Sequence, residues 1–223
     1  MKNIHLLLFI LITMGTTGTN AQKNIYESER FQELGKEHLT LAIIPFLTHL
    51  DLKDNISDKE LKDLEGKEGY AVQNALETYF SKRKKKKKFS VEFQNTEDTN
   101  ALLNQNKISY DNIDVYTVRQ LSEILRVDGI ISGTIDLNVL LSKGIPTEFN
   151  LMDYINGNAN YGRIGIKISD GPTGKLLWKY EKQIDRKSGK NTTDLIDLMM
   201  KQASKKFPYD RERPRDKKRT KES

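Results

Sequence analysis

Apolar residues recur along the chain at two spacings, and these spacings predict both strands and helices. Short apolar runs and strict alternation are typical of strands, whereas apolar residues three and four positions apart indicate helices. The resulting order of elements is β-α-β-α-α-β-β-β-α. A βαβ start followed by hairpins predicts an α/β (α+β) fold, in which helices pack on a mixed sheet of about five strands.

Five stretches of the sequence carry the strand predictions. Leu39–Phe46 is almost wholly apolar, which is typical of a central strand that is covered on both faces. The other four alternate between apolar and polar residues, so each presents one apolar face to a core. Their apolar positions are Phe89, Val91 and Phe93; Ile131, Ile135, Leu137, Val139 and Leu141; Ile164, Ile166 and Ile168; and Leu176, Trp178, Tyr180 and Ile184.

Capping patterns predict where two of the helices begin. A Ser or Thr followed three residues later by Glu or Gln occurs at Ser57–Glu60 and at Thr117–Gln120. The first of these helices contains Gly66 and Gly69, which weaken it and predict that it divides into two pieces. Further helices are predicted at Glu97–Leu103 and from about Asn191 to Phe207, before Pro208.

The two ends of the chain differ in composition from its middle. Residues 1–21 have a basic start, a short apolar run and small residues before Ala21, which predicts a cleaved signal peptide. The apolar run is far shorter than the roughly 20 residues that span a bilayer, so cleavage is expected rather than retention as an anchor. We expect a polar lead-in at 22–38, a single domain at 39–209 and a disordered basic tail at 210–223.

The formal charge of +6, from 37 basic and 31 acidic residues, is concentrated in two places. Without the predicted signal peptide the charge is +5, of which Lys82–Lys88 contributes +7 and Asp210–Ser223 contributes +3. The rest of the domain therefore carries −5. The basic run has no aromatic residues on which bases could stack, so no nucleic-acid partner is predicted.

The sequence contains no recognised catalytic or metal-binding pattern. It has no cysteine, which excludes disulfides, thiolate metal sites and a cysteine nucleophile. His38 and His49 flank the first strand without further ligands at matched spacing, so both are predicted to lie at the surface or at loop ends. Gly171–Lys175 has the wrong spacing for a phosphate loop and predicts a hairpin turn. No catalytic residue, metal or cofactor is predicted.

Two segments are candidates for contact with other molecules. Ser142–Asn158 is longer than most connections between strands, and it either folds back on the sheet or makes a contact with a partner or a membrane. The candidate partner contacts in it are Ile145, Phe149, Leu151, Met152, Tyr154 and Ile155. The basic run is either a solvated loop or a contact with an anionic lipid or polysaccharide surface. The candidate residues for that contact are Lys82, Arg83, Lys84, Lys85, Lys86, Lys87 and Lys88.

Three motifs together resemble a superfamily of bacterial envelope proteins. They are the end of the first strand at Ile43–Phe46, the helix end and strand at Leu125–Thr134 and the hairpin Thr173–Trp178, and the strand Phe89–Val91 lies between the first two in the same order. The resemblance spans Leu39–Tyr209 and is to the amino-terminal domain of TolB and to CsgG-like proteins, the curli secretion and peptidoglycan-synthase-activator lipoproteins. This chain differs from the lipoproteins in lacking a cysteine to acylate. Ser142–Asn158 is also too short and irregular for the pore-forming hairpin of the secretion family.

The resemblance implies an exported, non-enzymatic protein of the periplasm or outer-membrane periphery that binds other envelope proteins. It would dock a partner on the exposed sheet face or on Ser142–Asn158, while the basic run adds attraction to anionic lipid. Two alternatives stay open. One is a ring-forming secretion or assembly component, hence a homo-oligomer, and the other is a small hydrolase or ligand-binding protein with an unrecognised site. The chain is expected not to be lipidated.

Overall fold

The computed structural model of the chain describes residues 25–52, 56–84, 88–144, 160–185 and 187–211. The predicted signal peptide lies outside these ranges. So do residues 145–159, which contain all six candidate partner contacts, and residues 212–223, which make up most of the predicted tail.

Seven strands and five helices make up the described part of the chain, which confirms the predicted α+β class. The strands are β1 (Ile25–Glu27), β2 (Thr40–Ile43), β3 (Leu47–Leu50), β4 (Glu92–Phe93), β5 (Gly129–Leu137), β6 (Asn160–Asp170) and β7 (Leu176–Asp185). The helices are α1 (Phe31–Leu34), α2 (Asp58–Lys84), α3 (Thr96–Gln105), α4 (Val118–Leu125) and α5 (Thr192–Ala203).

The strands form one mixed sheet that is centred on β5. Their order across the sheet is β1-β7-β6-β5-β2-β4, and β3 continues the line of β2 along β5. Strand β5 pairs in parallel with β2 and β3 and antiparallel with β6. Strands β6, β7 and β1 then follow one another as antiparallel neighbours, as the hairpin patterns predict.

Two strands are additional to the five that the sequence predicts. The run Leu39–Phe46 is a strand only as far as Ile43, because Pro45 cannot donate to a ladder, and pairing with β5 resumes at Leu47 as β3. The other additional strand, β1, lies in the predicted lead-in and pairs with β7. Part of the lead-in therefore belongs to the sheet.

One face of the sheet is covered by α2 and α5 and forms the main core. The alternating residues that are predicted to face inward on β5, β6 and β7 are buried there: Ile131, Ile135, Leu137, Ile164, Ile166, Ile168, Trp178, Tyr180 and Ile184. The Trp178 indole N–H is satisfied by the Lys206 carbonyl oxygen at 3.1 Å. Burial of these side chains is the main driving force for the sheet to pack against the helices.

The opposite face of the sheet is covered only in part. Helices α3 and α4 pack over β2 and the start of β5, where Ala42, Ile44 and Ile130 form a second apolar cluster with residues such as Leu121 and Leu125. The helix starts follow the sequence signals. Thr117 and Gln120 form the predicted reciprocal capping box at α4, and the Asn191 side chain accepts from the N–H of Asp194 at 3.0 Å at α5.

Helix α2 is a single helix of 27 residues, so the prediction that its glycines divide it is wrong. Gly69 lets the helix approach the connection between β2 and β3. Its carbonyl accepts from the N–H of Phe46 at 3.3 Å, and a Cβ at this position would clash with the Phe46 carbonyl oxygen. This close packing outweighs the low helix propensity of glycine.

The chain beyond α5 returns to the start of β4. Phe89 and Asp210 form an antiparallel bridge. The N–H of Ser90 donates to the Tyr209 carbonyl at 2.9 Å, and the N–H of Arg211 donates to the Lys88 carbonyl at 2.7 Å. Asp210, the first residue of the predicted tail, is therefore held in the fold and is buried.

Candidate functional site

Among the described residues, α3 and α4 leave part of the second face uncovered, and this part forms an open polar surface. Side chains from three neighbouring strands line it, and we call this set the open face: Ser132, Thr134 and Asp136 of β5, Arg163, Gly165 and Lys167 of β6, and Lys179, Glu181 and Gln183 of β7. The side chains of Thr134, Asp136, Arg163 and Gln183 are exposed. Antiparallel sheets commonly solvate one face in this way, but a flat array of side chains on rigid strands also suits a docking surface.

A glycine lies in the middle of the open face. Gly165 is directly opposite Thr134 on β5 and Glu181 on β7. A Cβ added to it would lie 3.6 Å from the Glu181 Cγ and 3.7 Å from the Thr134 Oγ1, which are ordinary contacts. The backbone there does not have a positive φ. The fold therefore has no need of a glycine at this position, and strand glycines of this kind often mark the close approach of another molecule.

The outer edge of β3 is closed by side chains rather than by another strand. The Tyr110 hydroxyl accepts from the Thr48 N–H at 2.8 Å. The Glu65 carboxylate accepts from the N–H of Leu50 at 3.0 Å. These bonds satisfy backbone donors that an added strand would otherwise use, so this edge is protected against pairing with another chain.

His38 lies at the end of the loop before β2, as one of the two predicted placements has it, but it is buried in a hydrogen-bonded cluster rather than at the surface. Its Nε2 is 2.9 Å from the Asp170 carboxylate and its Nδ1 is 2.7 Å from the Tyr209 hydroxyl. The three residues are 5 %, 3 % and 2 % exposed. His49, by contrast, has a side chain that is 76 % exposed. The sequence around the two histidines does not predict which of them is buried.

The protonation of this cluster follows from its surroundings. Burial acts to raise the pKa of Asp170, but hydrogen bonds from Thr173 and His38 outweigh it and hold that pKa below its ordinary value. Burial, with a further contribution from nearby carboxylates, raises the pKa of Tyr209. Because an ionised carboxylate can only accept, His38 Nε2 donates to Asp170, and in the neutral ring Nδ1 accepts from Tyr209.

The cluster has the order of groups found in a catalytic relay, carboxylate to imidazole to hydroxyl. It lacks the access to substrate that such a relay needs. A catalytic hydroxyl must reach a substrate, whereas Tyr209 is almost wholly buried. The three side chains come from the loop just before β2, the end of β6 and the chain after α5. Their arrangement ties the N-terminal segment, the β6–β7 hairpin and the C-terminal segment together, which is a structural role.

The start of the segment Ser142–Asn158 is fixed by a buried carboxylate. Glu68 of α2 is 1 % exposed, and its carboxylate accepts from the Ser142 N–H at 3.1 Å and from the Ser142 hydroxyl at 2.5 Å. The neighbouring Leu141 is fully buried. The candidate partner contacts Ile145, Phe149, Leu151, Met152, Tyr154 and Ile155 lie outside the described residues, so their role stays a prediction.

The basic run begins at the C-terminal end of α2. Lys82 is exposed, but Arg83 is turned inward: it pairs with Asp210 at 3.1 Å and lies over the Tyr79 ring at 5.4 Å. Burial is the main cause that raises the pKa of Tyr79 to about 12. Arg83 therefore anchors the C-terminal segment. Lys85, Lys86 and Lys87 lie outside the described residues.

A shallow groove of about 350 Å³ lies beside this end of α2. It is lined by Tyr79, Lys82, Arg83, Lys88, Asp197 and Lys201. Lys201 pairs with Asp197 one turn along α5, at 2.6 Å. Across the described ranges, no helix is long and apolar enough to cross a membrane. The same ranges contain no group of three histidine or carboxylate side chains that could hold a metal ion.

Comparison with known proteins gives structural likenesses only. No family model and no curated protein matches the chain. Similar solved structures include the lipoprotein GNA1162 from Neisseria meningitidis, with a TM-score of 0.40 and 13 % identity over 66 % of this chain and 79 % of that one. The LpoB C-terminal domain from Salmonella enterica gives 0.37 and 9 % over 66 % and 83 %. The PelC dodecamer from Paraburkholderia phytofirmans gives 0.34 and 9 % over 77 % and 88 %.

Each of these structures has a TM-score below 0.5. At such low TM-scores and identities, none of them transfers a role to this chain.

Proposed function

We propose that this chain is an exported, non-enzymatic module of the bacterial cell envelope that binds another protein through the open face. The observation that carries the proposal is Gly165, a glycine that the fold does not need. It lies buried between its neighbours at the centre of an array of polar side chains that are half-buried or exposed. The array spans three long strands, β5, β6 and β7, that are neighbours in one sheet. Its side chains are therefore held in fixed relative positions. The predicted signal peptide and the resemblance of the strand motifs support the envelope location.

The arrangement of titratable groups favours binding over catalysis. Active sites place groups with shifted pKa values in a cleft that substrate can enter. Here the groups with shifted pKa values, at Asp170 and Tyr209, are packed in the interior with His38. The groove beside α2 contains paired charges rather than a nucleophile with a base.

Site-specific photocrosslinking in intact bacterial cells tests this proposal. A photoreactive amino acid is placed at Thr134 or Gln183 on the open face, or at the exposed Asp63 of α2 as the matched control. We expect the same discrete product from both open-face positions and none from Asp63. Equal products from all three positions, or none from either open-face position, would contradict docking on this face.

The mass of the product separates the remaining alternatives. A product of twice the mass of the chain would identify a second copy, which is the ring-forming alternative, whereas any other discrete mass identifies a different protein. A variant in which a short Gly-Ser linker replaces residues 145–159 keeps the bond between Glu68 and Ser142. If the candidate partner segment contributes to binding, this variant gives less product from Thr134, and an undiminished yield assigns binding to the open face alone.

A further inference from the structure

The two basic blocks of the sequence meet at one place in the structure. Lys82–Lys88 and the C-terminal segment that starts at Arg211 are more than 120 residues apart, and each contains seven Lys or Arg residues. The N–H of Arg211 donates to the carbonyl of Lys88 at 2.7 Å, and Phe89 and Asp210 form an antiparallel bridge. Lys201 of α5 lines the same groove as Lys82 and Lys88. We call the described residues Lys82, Lys88, Lys201 and Arg211 the basic pole.

Arg83, a residue of the basic run, holds the two blocks together where Lys88 meets Arg211. The Arg83 guanidinium pairs with the buried Asp210 carboxylate and lies over the rings of Tyr79 and Phe89, at 5.4 and 6.0 Å from their centroids. The bridge at Phe89 and Asp210 and the bond from Ser90 to Tyr209 continue the attachment on the backbone. Asp210 and Arg211, where the C-terminal segment starts, are thus fixed beside Lys88, so the first residue of the second block lies next to the last residue of the first.

We propose that the basic pole docks the protein on an anionic lipid bilayer. Outside the two basic blocks the chain from Gln22 carries a net charge of −6, so the protein has a strong charge asymmetry and would meet a negative surface with this end first. Each Lys or Arg near such a surface contributes about 1 kcal/mol of attraction, which is about a fivefold gain in affinity. The proposal is independent of docking on the open face, although both places are consistent with an envelope protein.

The chemistry of the pole favours a lipid surface over a compact ligand or a nucleic acid. Lys82, Lys201 and Arg211 are exposed side chains of separate elements, and the groove that they border also contains Asp197. A compact phosphate site would surround its ligand with inward-pointing donors. Tyr79, the aromatic residue at the groove, is buried, so it offers no stacking platform for bases.

Co-sedimentation of the chain Gln22–Ser223 with lipid vesicles tests the proposal. The vesicles contain phosphatidylglycerol mixed with phosphatidylcholine, or phosphatidylcholine alone. The pole variant carries Lys82→Gln, Lys88→Gln and Arg211→Gln. The matched control carries Arg163→Gln, Lys167→Gln and Lys179→Gln on the open face, so it loses the same charge elsewhere.

We expect salt-sensitive binding to the anionic vesicles and none to the neutral ones. The pole variant should bind about 100-fold more weakly, from roughly fivefold for each of three charges, and the control should change less than about fivefold. Equal losses in the two variants would show an effect of net charge alone and would overturn the pole. Binding to heparin or to single-stranded DNA without binding to the anionic vesicles would overturn the assignment to lipid.

Discussion

Gly133 and Gly165 lie on neighbouring strands, but they face opposite sides of the sheet. Gly133 points to the main core, where a Cβ would clash with the Phe46 ring and with the Gly165 carbonyl oxygen. Gly165 points to the open face, where a Cβ would make only ordinary contacts. The first glycine is required by the way in which the chain packs on itself. The second has no such reason, which makes it the better indicator of a contact with something outside the chain.

The same contrast separates the two faces of the sheet as a whole. On the core side the inward positions of β5, β6 and β7 are apolar and buried. On the open side the corresponding positions hold ionic and hydroxyl side chains, and Lys179 pairs with Glu181 at 2.7 Å. A surface ion pair of this kind contributes little to stability, on the order of 0–1 kcal/mol. Substitutions on the two faces should therefore affect different measurements, stability on one side and binding on the other.

The largest effect is expected at Gly133. Gly133→Ala places a methyl group against a backbone carbonyl and a buried ring, and neither can move without displacing the sheet. We expect a loss of about 3 kcal/mol in the free energy of unfolding, measured by urea denaturation. Gly165→Ala is the matched control, and it should be neutral or stabilising by about 0.5 kcal/mol. If the two variants lose equal stability, the distinction between the two glycines fails.

A smaller loss is expected at His38. His38→Ala removes the donor to the Asp170 carboxylate and the acceptor for the Tyr209 hydroxyl, and both groups are buried. The expected loss is about 2 kcal/mol in the free energy of unfolding, measured by urea denaturation. His49→Ala, on the open side of β3, is the control and should stay within about 0.5 kcal/mol of the parent chain. A loss below about 0.5 kcal/mol at His38 would show that the cluster does not stabilise the fold.

The periodicity of the sequence was sufficient to predict most strands of the sheet and the class of the fold. It placed the inward residues of β5, β6 and β7 correctly because alternation is a local property of each strand. It failed where long-range packing decides the outcome. The glycines of α2 do not break the helix because the connection between β2 and β3 packs on Gly69, and Leu47–Leu50 is a strand because β5 extends beyond β2.

The candidate sites were harder to predict for the same reason. The role of His38 depends on partners 132 and 171 positions away in the chain, which no local pattern contains. Glu68 did leave a signal, since it lies four residues after Leu64 and four before Val72 on the apolar stripe of α2. A carboxylate in such a stripe needs a buried partner, and Ser142 is that partner. The meeting of Lys88 and Arg211 follows only from the fold.

A substitution at Gly165 gives the sharpest test of the contrast between the two faces of the sheet. Its expected effect on stability is the smallest, whereas its expected effect on binding is large. Gly165→Thr adds a side chain that is favoured in strands, so the free energy of unfolding should change by less than about 0.5 kcal/mol. The same side chain protrudes from the centre of the open face and would keep a partner from close contact. An interface that must accommodate this bulk loses about tenfold in affinity, so the photocrosslinked product from Gln183 should fall by about that factor. Gly165→Ala, with a smaller protrusion, should reduce it less. An unchanged yield in the threonine variant would show that nothing docks closely at Gly165, and the case for the open face would then be lost even though the fold is intact.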